Sequence, residues 1–546
     1  MRRFFFAVTL GAVLLTPPAH AQQPVGTGAT LTQRLPDGAG NRVAVLEADA
    51  AGRLYAGPRL VAVAPDGAIS FPGTDPAFDP PTAIGAGVFA LTTGPLADGR
   101  RRVAAALGFF DTAADANQPP PTAAGFAVSD DGGATWRYRF AALDTPDDTL
   151  LAYGVSTLRA VPTTAPQGAA TLDLAADGDT LYAASGLAGL RRSVTGGATW
   201  TRVVLPPDSL VVLDPREPQV FAYSPGQIEP TDDPLVVQIA RASANFIAYS
   251  VHVDAGGTLW SGSANGLNRA VRLPGVADPA WIRYLDGPIT GQGPPANLIY
   301  ALAEQPATGR LWMAAWNSGL DASTLDEEDG VAVYLGDDAD GQARFATVLP
   351  GVRATAMAFN GPFAAVAGGA DGLFLADEAT GTEIEWRTVR TFRDGAGQPL
   401  TIRPDASVLS VAYAAGGLWA GTTDGLLQSR DGGLSWTLFR ASPPPDTTRD
   451  GASVDVYAYP NPFRPGTDRL ARIRFDLDGP ADATVRLYDV SMRPVRTIDA
   501  PGRAAGPVEV TWDGLADDGR RVANGAYIYT VEAGGRRLSG RILVYQ

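Results

Sequence analysis

The 546-residue chain has no cysteine, no lysine and only two histidines. Without thiols there can be no disulfide, no thiolate-held metal and no lipid-modified N-terminal cysteine. The fold must therefore rest on core burial, which a chain of this length can supply. One histidine, His20, falls in an N-terminal segment treated below, which leaves His252. A single imidazole excludes multi-histidine metal sites and two-histidine mechanisms. His252 lies in "YSVHVDAGGTLW", an alternating strand pattern, and reads as a strand residue rather than as the base of a Ser–His–Asp triad. Beyond the N-terminus no apolar run is long enough to span a bilayer. The formal charge is −15 with every basic residue an arginine, and an acidic surface repels phosphate backbones, so nucleic acid is not an expected partner.

What is present begins with "MRRFFFAVTLGAVLLTPPAHAQQ". Arg2 and Arg3 precede an apolar run, Phe4 to Leu15, and Ala19-His20-Ala21 has the small-x-small form of a cleavage site. Residues 1–21 thus read as a secretory signal peptide, and the mature protein is expected outside the cytoplasm. The 63 glycines and 44 prolines call for many turns and hence many short strands.

Internal repetition follows. The strings from Arg42 ("RVAVLEADAAGRLYAG"), Thr171, Tyr249, Ile299, Ala354 and Val408 share one grammar, and a more diverged copy starts at Val88. An alternating strand ends in an Asp/Gly turn. A second strand carries an aromatic residue followed by small ones, as in Leu418-Trp419-Ala420-Gly421, and Gly-Leu opens a third. Small residues let neighbouring sheets approach while the large ones fill the space between them. Four-stranded sheets repeated about an axis predict an all-β fold, a β-propeller over residues 22–440 with seven blades. The count becomes eight if Ser209 to Pro230 is a unit. That stretch lacks the Gly-Leu opener and reads as an insertion, as does Ala141 to Gly168.

Three near-copies of a shorter motif punctuate the repeats. Ser129, Asp131, Gly133 and Trp136 give S-x-D-x-G-x-T-W, Ser429, Asp431, Gly433 and Trp436 repeat it, and Ser193, Thr195, Gly197 and Trp200 form a copy with Thr at the Asp position. A short polar side chain there can accept hydrogen bonds from the turn's own amides, Gly supplies positive φ, and Trp folds back as an apolar cover. The motif resembles the Asp box of sialidase-type (BNR) propellers, and the Gly-rich units resemble two-component-regulator propeller repeats. The resemblance implies scaffold: in that family the boxes lie on the outer rim, away from the catalytic face. The Phe/Tyr-Arg-Ile-Pro motif of sialidases is missing, since Ile402-Arg403-Pro404 comes late and lacks the pattern.

"GDDADGQ" places Asp337, Asp338 and Asp340 before Gly341, part of a calcium-loop pattern without the distal Glu. A solvated hairpin turn is the plainer reading and calcium the weaker one. No other cofactor is indicated.

Residues 441–452 are Pro-rich and polar, a linker pattern. Residues 453–546 then show seven short alternating strands, the pattern of an immunoglobulin-like sandwich. Tyr459-Pro460-Asn461-Pro462-Phe463, Tyr488-Asp489, Trp512-Asp513-Gly514, Asp518-Gly519 and Asn524-Gly525-Ala526-Tyr527 occur in that order. The ordered set resembles the FlgD-like immunoglobulin fold and the C-terminal sorting domains of type IX secretion cargo. The resemblance implies export to the medium or outer surface of a Gram-negative bacterium, with the secretion machinery as a partner. Arg541 stands where such cargo usually has Lys. Together these readings give a secreted, non-catalytic propeller that binds an extracellular glycan or protein. The alternative is a glycoside hydrolase or lyase working through carboxylates.

Overall fold

A computed structural model describes residues 32–35, 41–80, 86–111, 120–224, 243–286, 293–317, 328–400, 402, 406–441, 456–459, 461–465, 470–503 and 506–545. The signal-peptide segment, most of the linker and Arg403 and Pro404 lie outside them. Among the described residues the chain is all β, with short 3-10 turns and no α-helix.

Among the described residues, seven sheets carry a four-stranded antiparallel meander each, and every repeat string named above opens on the first strand of one of them. These first strands are Leu46–Ala48, Gly87–Pro95, Asp173–Asp177, Ala248–Val253, Leu298–Gln305, Ala356–Asn360 and Val408–Ala414. Each touches the next, and the last touches the first, so the sheets, blades 1 to 7 here, close into a β-propeller. Thr32–Leu35 pairs in parallel with Thr437–Ala441, the outer strand of blade 7, so that one blade holds both ends of the ring.

Blade-to-blade contacts explain the small residues of the second strand. A methyl group on Gly421 of blade 7 would lie 2.3 Å from the Val43 carbonyl oxygen of blade 1, and one on Gly262 of blade 4 would lie 2.5 Å from that of Ile299 of blade 5. The same junctions are hydrogen-bonded: Ser410 Oγ donates to the Val43 carbonyl at 3.1 Å and Ser250 Oγ to that of Ile299 at 3.0 Å. Large side chains such as Trp312, Trp419, Phe126 and Trp281 fill the wider space further out.

The two insertions meet. Leu150–Tyr153 and Ser156–Ala160 form a hairpin, and Ala222–Tyr223 joins it in parallel through Arg159 and Ala160. Val212–Leu213, from the same second insertion, extends the outer edge of blade 4. Tyr153, Leu158, Leu213 and Tyr223 of these segments share one buried cluster with Phe246 and Trp281.

Beyond the propeller, seven strands make two sheets. Val456–Tyr459, Ala471–Leu477 and Gly506–Trp512 form one; Pro494–Arg503, Ala481–Tyr488, Gly525–Ala533 and Arg536–Val544 form the other. Alternate residues such as Ile473, Phe475, Val485, Leu487, Val531 and Ile542 fill the space between, as in an immunoglobulin-like sandwich. The ordered motif residues hold it: Phe463 packs on Trp512 at 5.8 Å, and the Phe463 amide donates to the Leu543 carbonyl at 2.7 Å. Asn461 Oδ1 accepts the Leu543 amide at 2.9 Å, while Asp489 caps the amides of Ser491 and Arg493.

Candidate functional site: an acid-lined axial channel

Because every first strand sits at the end of its sheet, the ring leaves a channel along its axis. Its cavity volume is about 470 Å³, and residues of all seven first strands line it. The polar ones are Glu47, Thr92, Thr93, Asp173, His252, Glu304 and Tyr413. No lysine or arginine is among the described lining residues.

Three carboxylates reach across blade junctions to amides on the neighbouring strand or turn. Glu47 Oε1 accepts from the Thr93 amide at 3.2 Å and its hydroxyl at 3.3 Å. Asp173 Oδ2 accepts the Val251 amide at 2.9 Å, and Oδ1 its own neighbour, the Leu174 amide, at 2.9 Å. Glu304 Oε2 accepts the Ala255 amide at 2.8 Å and stands 3.6 Å from His252 Nε2. The first strands have no further strand to pair with, so side chains satisfy edge groups that a closed ring would otherwise leave to water.

Enclosure by protein moves the titration of these groups. Burial pushes Glu47 up to about 8 against the pull of the Thr93 hydrogen bonds, with the Asp173 charge adding to the rise. Burial likewise pushes Asp173 up to about 7. His252 is pushed down by burial, with Glu304 opposing, so the imidazole is held towards its neutral form. Both shifts run the same way, favouring the protonated carboxyl at Glu47 and Asp173 over what a solvated acid would show.

At the end where the first strands begin, aromatic rings gather. Tyr300 stacks on Trp316 with centroids 3.7 Å apart, Tyr249 lies 6.3 Å from Tyr300, and Arg353 covers Trp316 at 4.9 Å. Trp316 Nε1 donates to the Ala354 carbonyl at 2.7 Å, fixing the stack.

The box residues lie elsewhere, in the hairpins between third and fourth strands of blades 2, 3 and 7. Asp131 Oδ1 accepts from the Ser129 hydroxyl at 2.7 Å and the amides of Ala134 and Thr135 at 3.0 and 2.8 Å; Oδ2 accepts the Thr135 hydroxyl at 2.6 Å. The Thr135 hydroxyl and amide, first among these, hold Asp131 down at about 2. Asp431 repeats the pattern: burial raises it, but hydrogen bonds from Ser435, Ser429 and Leu434 together keep it below the usual carboxylate range. Thr195 does the same with a hydroxyl, accepting the Thr199 amide at 2.9 Å. Both glycines of each box take positive φ, from 61° to 89°. Trp136 packs edge-on against Phe78 at 4.9 Å, Trp200 stacks on Phe126 at 4.8 Å, and Trp436 meets Phe392 edge-on at 5.1 Å. An arginine of the preceding blade grips two of the hairpins: Arg53 donates to the Gly132 carbonyl and Arg387 to that of Gly432, both at 2.7 Å.

The acidic turn is also placed. Asp337 pairs with Arg269 at 2.9 Å and accepts the Tyr334 hydroxyl, while Asp338 Oδ1 accepts the amides of Asp340 and Gln342 at 2.9 and 2.8 Å. Among the described residues no group of three or more histidine, aspartate or glutamate side chains is brought together to hold a metal ion.

Sequence reasoning did not single out Glu47, Asp173 or Glu304. Their signal is an acid within or at the start of the first strand of a repeat, in "VLEAD", "TLDLA" and "ALAEQ", where the first strands of the other units carry no carboxylate. Their convergence needs the ring.

Comparison with known proteins adds the following. Residues 464–536 match the FlgD Ig-like domain. Curated protein sequences give no match. Among solved structures, the chain is similar to PorZ, a surface component of the type-IX secretion system of Porphyromonas gingivalis. The two share 14% identity over 92% of this chain and 66% of that one, with a TM-score of 0.38. The chain thus spans just under two thirds of PorZ. A GH74 enzyme of Niastella koreensis shares 12% identity over 94% of this chain and 75% of its own (TM-score 0.44). The extracellular domain of the hybrid two-component system BT4673 of B. thetaiotaomicron shares 12% over 92% and 74% (TM-score 0.20). No helix among the described residues is long and apolar enough to cross a membrane.

Proposed function

We propose that this protein is an exported propeller that binds an extracellular glycan at its axial channel, and that its C-terminal sandwich serves its sorting to the medium or outer surface. The signal-like N-terminus and the FlgD Ig-like match at residues 464–536 support export. The observation that carries the binding reading is the channel lining: carboxyl, hydroxyl and imidazole groups set among apolar side chains, with no guanidinium or ammonium. Such a lining exchanges hydrogen bonds with sugar hydroxyls, welcomes amino groups, and inside the channel offers no guanidinium or ammonium to a sialic, uronic or sulfated residue. The ligand class is therefore neutral or amino-bearing oligosaccharide. The test is a binding screen of the purified protein against neutral, amino-bearing, sialylated and sulfated glycans. Retention of the first two classes supports the reading; binding confined to the anionic classes overturns it.

A second reading rests on Glu47. Burial pushes this carboxyl up to about 8, with the Asp173 charge among the causes, and a raised carboxyl with a second carboxylate lining the same channel is the pattern of a general acid and its partner. In that reading the protein cleaves the glycan it holds, with Glu47 as proton donor. New reducing ends from the bound glycans, lost in Glu47→Gln, would establish it; binding without turnover leaves the non-catalytic reading standing.

A further inference from the structure

The propeller and the sandwich meet at a cluster of charges that neither supplies alone. Blade 7 brings Asp424, from the turn after its second strand, and Arg440, from its outer strand. The three-stranded sheet of the sandwich brings Tyr459, Arg472 and Glu509. All five are 6% exposed or less. Arg440 Nη1 donates to Glu509 Oε2 at 2.8 Å, Nη2 to Asp424 Oδ2 at 2.7 Å, and Nε to the Asp424 carbonyl at 3.0 Å. Arg472 Nη2 donates to the same Asp424 oxygen, and the Tyr459 hydroxyl donates to Glu509 Oε1. Asp424 is thus held by one arginine from each side, and Glu509 by an arginine from one side and a phenol from the other.

We infer that the sandwich is a fixed arm of the propeller, docked in one orientation by this four-charge latch. Burying two positive and two negative groups has a large desolvation cost, recovered only where every charge finds its partner. An off-register docking would strand Arg472 or Glu509 in the interface without one, so the arrangement selects a single pose more than it adds adhesion. The latch sits at the end of blade 7 where its first strand begins, since Val408 pairs with Thr422 and Thr422 with Gly425. The sandwich therefore abuts the same end of the ring as the Tyr249, Tyr300 and Trp316 rings. Whatever surface the sandwich is fixed to, the channel then faces it at a set angle.

The experiment is small-angle scattering of the intact protein at low and at 1 M salt, compared with Glu509→Lys, which sets three cations against one another, and with the milder Glu509→Gln. Circular dichroism and two separate unfolding transitions check that both parts stay folded. The expected result is a wild-type curve that fits one compact pose and is insensitive to salt, because the latch is dry. Glu509→Lys should show a larger radius of gyration and maximum dimension, with Glu509→Gln between the two. A wild-type curve that needs many poses overturns the inference whatever the variants do. So does a folded Glu509→Lys with the wild-type curve.

Discussion

A box hairpin is a small device for satisfying a tight turn. One carboxylate takes two amides and two hydroxyls, two glycines adopt positive φ, and a Trp closes the outside. Residue spacing made this legible, because all the partners lie within eight positions. It did not reveal depth. Trp436 is only 3% exposed whereas Trp136 is half-buried, so the two copies differ in what they contribute. Trp436→Ala should cost about 3–5 kcal/mol and Trp136→Ala clearly less, as read from denaturant midpoints of the propeller transition. Equal losses would contradict the packing described. Glu47 gives a prediction of the opposite kind. Its native pKa, about 8, lies above its ordinary 4.5, so the folded state holds a proton that the unfolded state has released across that window. Stability should therefore fall as pH rises from 4.5 towards 8. Glu47→Gln should flatten part of that slope in melting temperatures taken at half-unit steps; an unchanged slope would place Glu47 in ordinary solvent.

At the scale of elements, the repeats announced the blades because each unit spells its own four strands. The junctions were legible only as "small residues", and their partners were not, since Gly421 and Val43 stand at opposite ends of the propeller sequence. Gly421→Ala would press a methyl group into the Val43 carbonyl and should cost about 1–3 kcal/mol by overpacking. Ser410→Ala, losing one hydrogen bond to the same carbonyl, should cost about 0.5–1.5 kcal/mol. Thermal melts of both variants check the order, and a Gly421→Ala protein as stable as wild type would contradict the close approach. The closing strand Thr32–Leu35 and the joint sheet of the two insertions escaped sequence reading for a related reason. Each pairs with a distant partner and is too short to show a period of its own.

For the whole molecule, what matters is what the ring brings together. Glu47, Asp173 and Glu304 belong to blades 1, 3 and 5, and nothing local links them; closure sets them around one axis. The same holds for Asp424, Arg440, Arg472 and Glu509, ordinary strand and turn charges until two folded bodies meet. Fold class was thus written in periodicity, while the site was written in the exceptions to it. The central claim is that the axial channel, with its cation-free lining, is where a glycan binds. Calorimetric titration of the tightest-binding neutral oligosaccharide tests it most directly, into wild type and into Glu47→Gln/Glu304→Gln. The double variant keeps the shape of the channel and alters only the donors and acceptors that face it. The expected result is about tenfold weaker binding or more, the scale of one lost hydrogen bond to a charged group, with circular dichroism showing both proteins folded at the titration pH. Undiminished affinity in the variant would contradict the account.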